Sequence, residues 1–515
     1  MFECQRSGQL LQRKIDLVYN LPYMSLLIKG VQVVDGTGKD PYKADVLIQG
    51  GLISSIGEIR GRKADQVMEG LGHYLTPGFI DIHARSDATL NLFDHPEQEA
   101  FVKQGVLNII GGQHGFSLAP LIYGNIESIR HWADSGGFNV NWQSVKEFLT
   151  ELKRFRFGIN FGTLAGYCGV RFDITNNRKG LEKGEADVIH KILKDAIKDG
   201  ALGISFDLDK CGTKELREVA KLTVHSGGVV VVNMDIPSKE YAKTIEEIIS
   251  IAKSTKAKIV VEGLEPVKGS TKEFRKALDL VRAAFSDGVN IRLVLQSHLV
   301  TEAHIKEYLP RILRSMDNHT ALRKMKEAKY KSAAKRSWQN IDFRNVYVVS
   351  APKHHFLAGK SVVDIANNWN IDYMEAMLRL MEMSELHATV ARDNLSPSLL
   401  RSAIGEEAVF ITANLDGAHT GGGTVISEVA RDSFPQYFRT VIGEGLMSIE
   451  DAVAKITSAP AKFFKIPGRG LIEEGISADL VLLGKEDYEI KEVILKGNVL
   501  GEKRLEGEML KRSKY

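Results

Sequence analysis

The run Thr76-Pro77-Gly78-Phe79-Ile80-Asp81-Ile82-His83-Ala84-Arg85 is an apolar strand that carries a histidine to its C-terminal end. Side chains alternate across a strand, so residue 85 projects on the same face as His83. An imidazole in such a place can hold a metal cation, and a second one at residue 85 would help it. Arginine cannot. Its guanidinium is permanently charged, carries five donors and no acceptor, and repels the ion.

Seven further apolar runs follow, each with room for a helix after it: Val106–Ile110, Phe157–Thr163, Leu202–Phe206, Val229–Met234, Lys258–Glu262, Val289–Leu295 and Val409–Ala413. Runs this apolar suit strands buried on both faces. With Phe79–His83 they make an eightfold strand-helix alternation over about 350 residues, which predicts an α/β fold, a TIM-like (β/α)8 barrel with its chemistry at the C-terminal strand ends. Helical periodicity over Ser238–Ser254, and over Lys272–Phe285 with Thr271 as its cap, supports the alternation. A doubly wound open sheet is the alternative, but no Gly-x-Gly-x-x-Gly opens a strand-to-helix turn.

Short strand patterns flank these runs: Ser25–Ile28, Val31–Val34, Asp45–Ile48 and Leu52–Ile56 before them, then Leu471–Gly475, Ala478–Leu483 and Glu492–Gly497 after them. Three parts are therefore expected. Residues 1–24 form an N-terminal extension, 25–75 with 465–515 a small β-sandwich built from both ends, and 76–464 the barrel.

A chain of 515 residues, 43% hydrophobic and 26% charged, can bury a large core. The net charge of +3 comes from 68 basic and 65 acidic residues spread evenly, which argues against a nucleic-acid face. No apolar run approaches the roughly 20 residues of a spanning helix, and the first 23 residues lack the apolar core of a secretory signal. A cytoplasmic protein without membrane contact is expected, with a small molecule as its partner. Cys4, Cys168 and Cys211 form no Cys-x-x-Cys pair, which fits a reducing compartment and thiols that act as buried hydrophobes. Nothing in the sequence marks an oligomer interface.

The flanking strands, Thr76-Pro77-Gly78-Phe79-Ile80-Asp81-Ile82-His83 and Gly475-Ile476-Ser477-Ala478-Asp479-Leu480-Val481 together resemble the amidohydrolase superfamily. Gln104-Gly105-Val106, Gly111-Gly112-Gln113-His114-Gly115-Phe116-Ser117-Leu118-Ala119-Pro120, Gly200-Ala201-Leu202-Gly203-Ile204-Ser205 and Thr457-Ser458-Ala459-Pro460-Ala461 are similar to the D-aminoacylase (N-acyl-D-amino-acid deacylase) branch. The resemblance spans about residues 26 to 500. It implies a metal-dependent hydrolase of linear amides.

Carried over position by position, the resemblance implies a metal centre that this chain supplies only in part. The first-strand histidine pair is His83 with Arg85. The cysteine ligand after the second strand corresponds to Gln113-His114-Gly115, and histidine is an acceptable zinc ligand. The histidines that end strands five and six correspond to Val232-Asn233-Met234-Asp235 and Glu262-Gly263-Leu264-Glu265, and a Gly-His near the third strand is Gly166-Tyr167. The proton-shuttling aspartate of the last strand falls at Asn414 or, two residues on, at Asp416. A hydrolytic zinc needs about three protein ligands and one open position. On this count His83 and His114 supply two. Arg85, Asn233, Asp235, Glu262 and Glu265 remain as polar groups of the mouth, with Arg85 expected to pair with Glu262 or Asp235. Their carboxylates also suit a harder ion such as magnesium or manganese.

Two function classes follow. One is a C–N hydrolase of N-acyl amino acids, with a cation at His83 and His114 and proton transfer by Asp416. The other is a catalytically inactive homologue, a binding or interaction module in which Arg85 anchors a small carboxylate. The cofactor is accordingly one divalent cation, zinc by the resemblance, or none. Lys268 or Arg292 stand as substitutes for substrate-binding cations that the family places after strands five and six. Asp81 is expected to brace backbone, His298 to pack or line the mouth, His354-His355 to lie on a loop surface, and the lysine-rich 323–336 run to be a solvated helix face.

Overall fold

The computed structural model describes residues 25–123, 140–176, 178, 180–314, 316–339, 341–351, 354–414, 432–501 and 505–513. All eight expected barrel strands form: Phe79–Asp81, Val106–Gly111, Asn160–Thr163, Gly203–Asp207, Val229–Asn233, Lys258–Glu262, Ile291–Gln296 and Val409–Thr412. Neighbours pair in parallel from the first to the third and, with the short Ala165–Gly166, from the fourth to the eighth. Backbone bonds from Leu164 to Gly111 and from Leu202 to Thr163 join the two groups. Strands such as Val229-Val230-Val231-Val232 are buried throughout, because helices cover one face and the barrel interior fills the other.

A side chain holds the seam between the first and eighth strands. Asp81 is fully buried; its Oδ1 accepts from the His83 amide (2.9 Å) and Thr412 Oγ1 (2.7 Å), and its Oδ2 accepts from the Ala413 amide (2.8 Å). The expected helices form as Tyr241–Thr255 and Thr271–Ser286. Thr271 does not cap the second. Ser270 stands at its N-cap, with its hydroxyl turned back to the Val267 carbonyl.

Strands from the two chain ends share one sheet. His73–Pro77, the last strand before the barrel, pairs antiparallel with Leu480–Gly484, and Ile28, Val46, Leu75, Leu480 and Ile494 pack in the core beneath. Leu471–Gly475 is a loop and not a strand, held to the sheet through the Ile472 amide and the Asp35 carbonyl. The tail then leaves the sheet: Glu508 and Leu510 bond Phe161 of the third barrel strand through backbone groups.

Between the seventh and eighth strands the chain builds an insert with its own core. Its antiparallel sheet places Thr389–Asp393 between Val300–His304 and Val346–Ser350. Trp338, Phe343, Met377 and Leu380 fill the core. The lysine-rich run lies here, split between the helices Asn318–Met325 and Ala328–Ser337, with Met325 and Ala334 turned inward. It is solvated on one face only, because an amphipathic helix on a second core must bury the other.

Candidate active site

Three strand ends converge at the barrel mouth. His83 follows the first strand, anchored by its amide bond to Asp81. His114 sits on the turn after the second strand, with φ at 57°. That turn needs glycine on both sides. A Cβ on Gly112 (φ 77°) would lie 2.4 Å from the Leu164 carbonyl, and one on Gly115 (φ 78°) 2.7 Å from Cys168 Sγ. Side chains hold the turn: Asp87 Oδ2 accepts from the Gly112 amide (2.8 Å), and Gln113 Nε2 donates to the Ile82 and Ile110 carbonyls.

Glu262 ends the sixth strand, in register with Asn233 of the fifth. Gly263 (φ 90°) turns the chain at once, where a Cβ would meet the Met234 carbonyl at 2.5 Å. Glu262 Oε2 lies 2.7 Å from His83 Nε2, and its Oε1 lies 3.6 Å from His114 Nε2. The two imidazoles meet edge to face at 5.2 Å. One ligand atom from each of the three residues falls within 4.8 Å of the others.

Glu262 thus stands beside the two histidines counted from the sequence as a third candidate donor, one residue before the position where the resemblance looks for a histidine. Glu262 faces the two histidines, and Asp235 is largely exposed and bonds Arg314 at 3.2 Å. Arg85 is 5% exposed, and its charge acts on both Glu262 and His114.

The charge states suit a cation. Burial works to raise the Glu262 pKa, but His114, His83 and Arg85 together hold it down at about 2. Burial lowers His114 to about 3 against the pull of Glu262, with His83, Arg85 and Lys210 adding to the fall. At neutral pH the group offers an ionised carboxylate and a neutral His114, the states that metal ligation requires. Two nitrogens and one carboxylate oxygen are also a known donor set for catalytic zinc.

An open cavity adjoins this group, lined by His83, Glu262 and Glu265 with the amides Gln296 and Asn414. Asn414 Nδ2 donates to Gln296 Oε1 (3.1 Å). Burial raises Glu265 to about 7, and the charges of Glu307, Glu262 and Asp235 add to the rise while Arg392 opposes it. Asp416 lies outside the described residues. His298 packs beneath the mouth, its Nε2 3.5 Å from the Ala413 carbonyl, with its pKa lowered to about 4 by burial. His355 is on the surface, and Tyr167 is buried with its hydroxyl donating to Glu215. Lys268 pairs with Asp393, and Arg292 stacks on Phe285 and Phe463, so neither faces the cavity. Sequence reasoning passed over Gln296 and Asp87 as parts of the mouth, because neither belongs to a recognisable motif, and gave Gln113 no role beyond its place beside His114.

Residues 74–500 match the amidohydrolase family, and the chain belongs to it. Its full-length matches place it in the D-aminoacylase-like branch of that family. It is 23% identical over 487 residues to an N-acyl-D-glutamate deacylase of Alcaligenes xylosoxydans xylosoxydans, covering 92% of this chain and 88% of that one. It is also 23% identical to the D-aminoacylase of the same organism, over 89% and 87% of the two chains. Among solved structures, the N-acyl-D-glutamate deacylase from Bordetella bronchiseptica, complexed with zinc and a phosphonate inhibitor, superposes with a TM-score of 0.76. The identity is 20%, with 95% of this chain and 99% of that one covered. A D-aminoacylase structure gives a TM-score of 0.74 at 20% identity, covering 95% and 100%. These structural likenesses establish the barrel with its added β-domain.

Proposed function

We propose that this protein is a C–N hydrolase of linear amides, acting on N-acyl amino acids, with one divalent cation held by His83, His114 and Glu262. The observation that carries the proposal is the convergence of those three ligand atoms within 4.8 Å at the mouth of the barrel. Zinc fits the donor set best, and when bound it supplies the Lewis acidity that amide hydrolysis needs near neutral pH. The related N-acyl-D-glutamate deacylase structure was solved with zinc, which supports that choice.

The chain's own residues supply the rest. Asp81 fixes the backbone from which His83 projects. Asp87 and Gln113 hold the turn that presents His114. Glu265 lines the cavity with a proton held to about pH 7, which suits it to exchange protons with a substrate nitrogen. Gln296 and Asn414 offer amide groups to orient a polar substrate.

The test is a panel of N-acyl-D- and N-acyl-L-amino acids assayed with zinc-loaded wild type and His83→Ala. Free amino acid released by wild type and not by the variant is the expected result. No release from any member by a protein that retains its zinc would overturn the substrate class.

A further inference from the structure

Two of the three cysteines, distant in sequence, meet in the fold. Cys168 lies in the first turn of the helix Tyr167–Thr175, which follows the third barrel strand. Cys211 lies near the start of Leu208–Ser226, which follows the fourth. Their sulfurs are 3.1 Å apart, across a separation of 43 residues. Cys168 is buried and Cys211 is partly open. A disulfide has its sulfurs about 2 Å apart, so they need to close by only about 1 Å.

Gly212, next to Cys211, leaves helical geometry (φ 78°, ψ 165°), so a kink sets the segment that carries Cys211 apart from the helix beyond it. On the other side, Cys168 Sγ packs directly on Gly115, the residue after His114. The pair therefore stands behind the turn that carries a candidate cation ligand.

We infer that Cys168 and Cys211 form a dithiol that a low-molecular-weight disulfide, such as oxidised glutathione, converts to an intramolecular Cys168–Cys211 disulfide. Cys211 is the more open and reacts first. Its sulfur bonds to one sulfur of the oxidant and releases one glutathione thiol, which takes the Cys211 proton. Cys168 then displaces the second glutathione, which takes the Cys168 proton. Two cysteine thiols are oxidised and one small disulfide is reduced to two thiols. The inference is independent of any hydrolytic activity.

The experiment equilibrates the native full chain in glutathione buffers from fully reduced to fully oxidised, with a parallel arm in diamide, an oxidant small enough to reach a half-buried thiol. Samples are quenched with acid, alkylated after unfolding and mapped by mass spectrometry. A cross-linked peptide containing Cys168 and Cys211 is expected to rise with oxidant in both arms and to disappear with dithiothreitol. In Cys211→Ser the cross-link is expected to be absent, with Cys168 free or singly glutathionylated. Two separately alkylated or singly glutathionylated cysteines in the wild type, in both arms, would overturn the inference. So would a cross-link of either residue to Cys4.

Discussion

At the level of single residues, Arg85 and Glu262 define what kind of centre this is. Arg85 stands two residues after His83, where a second imidazole would aid a cation, and its positive charge already disfavours protonation of His114. The same field opposes a bound ion. Replacing Arg85 by methionine is expected to tighten zinc binding about tenfold, or about 1.4 kcal/mol, measured by isothermal titration calorimetry; unchanged or weaker binding would show that the guanidinium does not oppose the ion. Glu265 offers a second test through pH. Its folded pKa of about 7 is above its usual 4.5, so the folded state holds a proton that the unfolded state releases between those values. Stability from this group is complete below pH 4.5 and is lost as pH rises to about 7. Glu265→Gln should therefore flatten that part of the stability profile in urea unfolding and gain about 1–3 kcal/mol at pH 8. A profile parallel to that of the wild type would rule out the raised pKa.

At the level of elements, the site depends on how strands end rather than on the strands themselves. Asp81 collects three donors, from the His83 amide, Thr412 and the Ala413 amide, and so ties the first strand to the eighth while it positions a candidate ligand. Asp81→Asn is expected to cost about 1–3 kcal/mol, because one amide nitrogen then faces a donor. Chemical denaturation checks this, and a loss below about 0.5 kcal/mol would show that the seam does not rely on that carboxylate. The eight barrel strands were legible in the sequence because each is a mainly apolar run, most of it buried. The turns were less so. Gly263 aligned with a histidine of the resembling family and suggested a lost ligand, while the neighbouring Glu262 delivers its carboxylate to His83. A one-residue shift at a strand end moves a donor into or out of the mouth without changing the hydrophobic pattern. The insert between the seventh and eighth strands was equally hidden, because its second core uses the same amphipathic signals as a barrel helix.

At the level of the whole molecule, the barrel supplies the frame, the β-domain joins the two chain ends, and an insert with a separate core stands between the last two strands. The fold could be read from the sequence through the eight runs and the paired ends. The candidate site could be read only in part, since the placement of Glu262 beside the two histidines depends on a turn. No helix among the described residues is long and apolar enough to cross a membrane. What makes the molecule a candidate enzyme, as opposed to a barrel that has lost its centre, is the group His83, His114 and Glu262. Elemental analysis of purified protein, equilibrated with zinc and then desalted, tests this most directly, with Glu262→Gln measured alongside. One zinc per wild-type chain, falling at least tenfold in occupancy-derived affinity in the variant, is the predicted result. A wild-type protein that melts normally yet retains no zinc, or a variant that retains it unchanged, would contradict the account.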